Sequence, residues 1–401
     1  MSAMKRLFQL MAEKKASDLF ISVGAAIHIK IEGVAMPVNQ TIMSPDTVKQ
    51  LLYEVLNERQ IRDFEEEMEL NTAVTLDDVG NFRISAFRQK GSPAVVVRHI
   101  PGNIPALDTL GLPDVVKEVI MQKRGLLLMV GASGAGKSTS LAAMLDYRNA
   151  LQSGHILTLE DPVEFIFRNR KSIVNQREVG TDTKTFGVAL KNAMRQAPDC
   201  ILIGEIRDKE MMAMALAYAQ SGHLCLATLH ANNSYHAMNR IINFYPLENR
   251  PTLLLDLAAT LQAVVSQRLV RSKSGNRVAA VEVLVNTRHI QELIEKGEIG
   301  EIKEALEKSM SPGSQSFEQA LFKHFMEGTI TQEEAIANAD SATNMLWLIN
   351  QAIAGDITAG NSASPSSATP KRTDPEASQN PFADASRTRG GFTDIKIDIS
   401  S

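Results

Sequence analysis

Over the first hundred positions the apolar residues change period several times. Leu7, Leu10 and Met11 recur at helical spacing, and short alternating runs come next at Asp18–Ser22 and Ile27–Ile31, the second stopped by Glu32-Gly33. Ser44-Pro45-Asp46 reads as a helix start, serine as cap and proline in the first turn, opening an amphipathic stretch through Val48, Leu51, Leu52, Val55 and Leu56. Strand-like runs return at Asn81–Phe87 and Ala94–Arg98, and Pro101-Gly-Asn-Ile-Pro105 breaks both patterns. From about residue 110 the pattern differs. Strongly apolar, uncharged runs at Leu126–Val130, Ile156–Leu159, Ile201–Ile203 and Leu224–Ala227 alternate with helical stretches, as in a largely parallel sheet covered on both faces. Beyond Gly355, Ser, Ala, Thr, Pro and Gly dominate, too few apolar groups to offset the entropy of ordering. The expectation is an α/β chain with an N-terminal α/β domain (1–100), a linker (101–109), a larger α/β domain (110–354) and a disordered tail (355–401). Within that tail Ile395, Ile397 and Ile399 alternate with Lys396 and Asp398, which is strand periodicity.

Composition narrows the classes. In 401 residues, 44% apolar and 22% charged fit a globular chain, and 42 basic against 46 acidic residues leave a net charge of −4. That balance argues against a protein that coats nucleic acid or an anionic membrane through overall charge. The two cysteines, Cys200 and Cys225, lie inside apolar runs and read as buried small hydrophobes in a reducing compartment; two cannot build a four-cysteine zinc site. The N-terminal residues show no signal-peptide hydrophobic region, and no apolar stretch approaches the ~20 residues of a membrane span. A cytoplasmic protein is expected.

The sharpest chemical signal is Gly131-Ala-Ser133-Gly134-Ala135-Gly136-Lys137-Ser138, then Thr139, which fits G-x-x-x-x-G-K-[ST] between an apolar run and a helical one. In that context glycines let backbone N–H groups and a helix N-terminus face phosphates, the lysine adds a point charge, and the serine hydroxyl completes a Mg²⁺ shell. Such a loop needs carboxylates on neighbouring strand ends, one for Mg²⁺ through water and one to polarise the attacking water. Glu205, ending Ile201-Leu-Ile-Gly204, is one candidate, although Gly204 stands where many phosphate-loop proteins carry aspartate. Glu160, Asp161 and Glu164 are the others, with Pro162 ending their strand. His223 and His230 bracket the run Leu224–Leu229 with odd spacing, so one near nucleotide and one packing is the modest reading. Arg195 and Arg207 flank the Glu205 strand, and arginine suits a transition-state clamp supplied by a neighbouring subunit.

These segments resemble a known family. Glu160-Asp-Pro-Val-Glu164 resembles the aspartate box of the secretion ATPase superfamily, Gly204-Glu205-Ile-Arg-Asp208 its Walker B strand, and Gly222-His through Thr228-Leu-His230 its histidine box; Gln176-Arg-Glu-Val-Gly180 is similar to a further segment. The short N-terminal module and the missing tetracysteine site set the chain apart from pilus-assembly and type II secretion ATPases. It is similar instead to the type IV pilus retraction ATPases of the PilT/PilU family. Arg195-Gln-Ala-Pro-Asp199, Lys308–Gly313, Asn338–Asn344 and the tail look nearer to PilU, and Phe20 stands where PilT carries histidine.

The resemblance implies a PAS-like N-terminal domain, a RecA-like ATPase domain and a ring of six subunits with ATP and Mg²⁺ at the interface of the two domains. It implies Glu164 as general base, Glu205 holding Mg²⁺ through water together with Ser138, His230 sensing the γ-phosphate, and Arg195 and Arg207 around the phosphates. It further implies work on the inner-membrane pilus platform protein at the cytoplasmic face of the membrane, alongside a PilT-type ATPase and with no nucleic acid. Two other classes stand beside this reading. A hexameric helicase would need basic or aromatic channel loops, which a charge of −4 and 5% aromatic residues support little. A non-catalytic nucleotide-binding scaffold would leave catalytic positions empty, and here every one is filled.

Overall fold

The computed structural model describes residues 2–360 apart from 32, 77–78, 101–102 and 309–310, with side chains described as far as Ile353. The chain divides into two compact units, residues 1–100 together with those from 352 on, and residues 101–351. In the first, β1 (Asp18–Ser22), β2 (His28–Ile31), β3 (Val34–Pro37), β4 (Glu69–Leu76), β5 (Gly80–Gln89) and β6 (Ser92–Ile100) form one antiparallel sheet in the order β3-β2-β1-β6-β5-β4. Leu19, Ile21, Phe82, Ile84, Val95 and Val97 alternate onto a shared face. Helices Ala3–Glu13, Pro45–Tyr53 and Glu58–Glu67 cover that face through Met4, Leu7, Phe8, Leu51, Leu52 and Phe64. Ser44 caps its helix as its sequence suggests, Oγ accepting from the Thr47 N–H at 3.2 Å. β3 and β4 are not legible in the pattern. They are the two edges of the sheet, where Val34 stands 62% exposed and alternation is weak.

The second unit is built on β7 (Gly125–Val130), β8 (Gly154–Glu160), β9 (Ser172–Glu178), β10 (Cys200–Ile203), β11 (Leu224–Leu229), β12 (Leu261–Arg271) and β13 (Arg277–Val285), ordered β13-β12-β7-β11-β10-β8-β9. All neighbours are parallel except β12 and β13. The four apolar runs are the four central parallel strands, and β7 and β11 are buried at every position. Parity explains why: Leu126, Leu128 and Val130 pack into one core with helices Lys209–Gln220 and Arg250–Thr260, while Leu127 and Met129 pack into another beneath helix Lys137–Leu151. Helices Phe317–Met326, Gln332–Asn338 and Ala342–Gly360 close over β12 and β13 through Phe317, Leu321, Ala335, Met345 and Ile349. The last helix continues past residue 355, where the composition predicts no structure; extending an existing helix costs less than nucleating one. The rest of that tail, with Ile395, Ile397 and Ile399, lies outside the described residues. Among the described residues no helix is long and apolar enough to cross a membrane. Cys200 and Cys225 are both fully buried on adjacent strands, and burial pushes the Cys200 thiol up to about 12.

Candidate nucleotide site

Parallel strands put all their C-terminal ends on one edge of the sheet, the edge where open α/β folds bind ligands. In the spatial order β7, β11, β10, β8, those ends lead into Gly131, His230, Glu205 and Asp161. The phosphate loop therefore lies beside the two carboxylate groups and the histidine that the sequence singles out.

Between β7 and helix Lys137–Leu151 the loop makes two close approaches to β12. A Cβ on Gly131 would stand 2.6 Å from the Gln267 carbonyl oxygen, and one on Gly136, whose φ is +88°, 2.7 Å from Gln267 Nε2. Ser140 Oγ donates to Gln267 Oε1 at 2.7 Å, fastening the first turn of the helix to the same side chain. Ser133 and Gly134 are exposed on the loop's crest, Ala135 is buried, and Ser138 and Thr139 are half-buried in the first helical turn. Lys137 is buried and donates to the carbonyls of Gly131 (2.7 Å) and Ala132 (2.8 Å). Burial lowers its pKa, while the Glu205 and Glu164 carboxylates pull it back up, so both acids act electrostatically on the loop lysine.

Glu205 lies just past the end of β10. Its Oε2 accepts from Arg207 Nε at 2.9 Å, and its Oε1 lies 3.4 Å from His230 Nε2. Arg207 also reaches Asp161 Oδ2 at 3.3 Å and so ties the end of β10 to the end of β8; these carboxylates, Glu205 first, raise its pKa. Glycine at 204 has a steric reason. A Cβ there would meet the Leu159 carbonyl oxygen at 3.1 Å and Glu160 Cα at 3.3 Å, so an aspartate would press on the neighbouring strand.

Asp161-Pro162 is a cis peptide, and the chain then turns through Glu164, whose side chain is exposed. Besides Glu160, the residues that hold this turn come from β9, a segment to which the sequence assigns no role. Gln176 Oε1 accepts from Phe167 N–H at 2.9 Å, and its Nε2 donates to Phe165 O (2.7 Å) and Glu160 Oε1 (3.2 Å). Glu178 Oε2 accepts from Val163 N–H at 3.0 Å. Burial pushes the Glu160 carboxyl up, against the hydrogen bonds from Thr158 and Gln176 and the backbone of Glu164. The sequence carries one signal for this: Gln176 and Glu178 alternate on the run after Pro162 that has strand character.

Two of the residues that the sequence singles out stand on the other edge of the sheet. Arg195 sits in the turn Met194–Gln196, before β10 begins, whereas Glu205 follows its other end, so the two stand toward opposite edges of the sheet. His223 precedes β11 on that same far edge, where its Nδ1 pairs with Ser221 Oγ at 2.9 Å and its ring meets Tyr218 edge-on. Of the two histidines, His223 is the packing one. No cluster of His, Cys, Asp and Glu with metal-holding geometry occurs among the described residues.

Comparison with known proteins agrees with this geometry. A family profile described as type II/IV secretion system protein matches residues 2–337. The type IV pilus ATPase PilU of Pseudomonas aeruginosa is 48% identical over 346 residues, covering 86% of this chain and 91% of that one. The type IV pilus retraction ATPase PilT of the same organism is 37% identical, covering 84% and 98%. The crystal structure of the pilus retraction motor PilT with bound ADP superposes with a TM-score of 0.80 at 36% identity, over 86% of this chain and 98% of that one. With most of the length matched at these identities, and with the phosphate loop, paired acids and histidine gathered on one sheet edge, this chain belongs to the type II/IV secretion system protein family.

Proposed function

We propose that this chain is an ATP-hydrolysing motor of type IV pilus retraction, PilU-like and working with a PilT-type ATPase on the inner-membrane platform protein at the cytoplasmic face of the membrane. The observation that carries the reading is the run of four adjacent strand ends that presents Gly131–Thr139, His230, Glu205 and Asp161–Glu164 together.

The loop N–H groups and Lys137 bind the β- and γ-phosphates. Ser138 and Glu205 offer hard oxygen donors of the kind Mg²⁺ takes beside phosphates, a hydroxyl at the helix start and a carboxylate on the next-but-one strand, and so fit that ion. When bound, Mg²⁺ neutralises charge on the transferring phosphoryl group. Glu164, exposed on its turn, takes the proton of the attacking water as general base. His230, within 3.4 Å of Glu205, reports the γ-phosphate to the β11 end. Arg207, held by Glu205 and Asp161, supplies positive charge from within the chain. Arg195 acts across a subunit boundary in a ring of six, since the far edge of one subunit's sheet is where it stands.

Steady-state phosphate release tests the reading. Lys137→Ala should abolish ATP binding, and Glu164→Gln should bind ATP while losing turnover about 10²–10⁴-fold. Single-stranded DNA should change neither rate. Normal ATP affinity in Lys137→Ala, or stimulation by DNA, sinks it.

A further inference from the structure

A general base works only if its carboxylate is held where the water will be, and Glu164 has no side-chain tether of its own. The backbone around it does. Val163 N–H is held by Glu178, Phe165 O and Phe167 N–H by Gln176, so the residues on either side of Glu164 are both fastened to β9 while its side chain points free. Gln176 also joins Glu160, the last residue of β8, and stands opposite Thr158 in the β8–β9 register. One half-buried amide thus spends an acceptor and a donor on the turn and a second donor on the strand from which the turn springs. The backbone of Glu164 is also held by the carboxyl of Glu160, the group that Gln176 joins, so β8 and β9 hold the turn together. Farther along, Asn149 and Asn169 tie down Arg168 O, Arg170 N–H and Val174 N–H.

We propose that Gln176 is a positioning residue for catalysis: it sets the place of the Glu164 carboxylate relative to the phosphate loop without touching nucleotide. The proposal rests on the reading of Glu164 as the base. It assigns chemistry to a segment, Gln176–Gly180, that is otherwise only an edge strand. Edge strands usually satisfy their outer groups with solvent. Here two side chains of the edge strand hold the turn that carries Glu164.

The test is a cycle on the full chain. Gln176→Met keeps the side chain's length and loses all three hydrogen bonds. Gln176→Glu is nearly isosteric, keeps the acceptor for Phe167 N–H, and loses both donors. Each should lower kcat by about 10²-fold, the cost of misplacing a catalytic group by roughly an ångström, with the KM for ATP and ATP affinity unchanged. In a Glu164→Gln background the same substitutions should have no further effect, because a positioning residue acts only through the group it positions. Unchanged kcat overturns the proposal, as does a loss that multiplies with Glu164→Gln or one that comes with weakened ATP binding. Thermal melting of both variants separates an unfolded protein from a mispositioned base. Full turnover in Glu164→Gln alone would instead remove the base assignment, and with it this proposal.

Discussion

Substituting Gly204 by alanine tests how tightly the two acidic strand ends are coupled. The added Cβ would stand 3.1 Å from the Leu159 carbonyl oxygen and 3.3 Å from Glu160 Cα, so one neighbour must give by a few tenths of an ångström. Gly204 itself has little room to retreat. Its N–H donates to Leu159 O at 2.7 Å, and its carbonyl accepts from Thr228 Oγ1 on β11. The give must therefore come from Glu160 and Asp161, the root of the turn that carries Glu164. Overpacking of this size costs about 1–3 kcal/mol. The lost backbone freedom of glycine in the unfolded chain returns about 0.4–1 kcal/mol. The balance, ~1–2 kcal/mol, should lower the melting temperature of a unit this large by roughly 2–8 °C. Turnover should fall about 10-fold, because the displacement is a fraction of the ångström that costs ~10²-fold. ATP affinity should stay put, since β11 separates β10 from the phosphate loop's strand. Melting curves and phosphate release at saturating ATP read these outcomes. Unchanged turnover with the expected melting loss would refute the coupling; an equal loss of ATP affinity would mean the strain runs to β7 instead.

Two further expectations concern the unit's polar interior. Glu282 is buried on β13, its Oε1 accepting from Ser234 N–H (2.7 Å) and Ser266 Oγ (3.0 Å), and burial raises its pKa above the ordinary 4.5. A carboxyl that holds its proton longer when folded contributes stability fully below about pH 4.5, and loses it as pH rises through the raised value. Glu282→Gln, which keeps the acceptor, should melt higher than the parent at pH 8 and close to it at pH 4; a difference of the opposite sign would refute the burial argument. Asp340 closes a second cluster: it accepts from Arg268, whose guanidinium also donates to the carbonyls of Asn232 and Asn338 and lies 3.9 Å over the Phe317 ring, and from Asn233 Nδ2. Asp340→Ala should cost about 2 kcal/mol, the range for a hydrogen bond to a charged group, measured by denaturant unfolding, and a neutral result would mean the cation is satisfied by the carbonyls alone.

The division between what the sequence discloses and what it conceals comes from the strands. Gly131, Glu205, His230 and Asp161 each stand within a few residues of the end of a run buried on both faces, and such runs are unmistakable because no charged residue interrupts them. Their chemistry is legible for that reason alone. Direction is harder to use. Arg195 and Glu205 both flank β10 in sequence, yet a strand's entry and exit lie on opposite edges of a parallel sheet. Only the fold turns that into a separation, and the cross-subunit role proposed for Arg195 rests on it. Gly204 looks like a departure from a familiar aspartate until the approach of β8 supplies its cause. The β9 residues are hardest of all. Gln176 and Glu178 lie well beyond Glu164 in sequence, and nothing local says that β8 and β9 pair with Thr158 opposite Gln176 and Glu160 opposite Glu178. Register between strands is a tertiary fact, decided by both cores at once. A site of this kind is therefore read from sequence at the residues that do chemistry, and from structure at the residues that aim them.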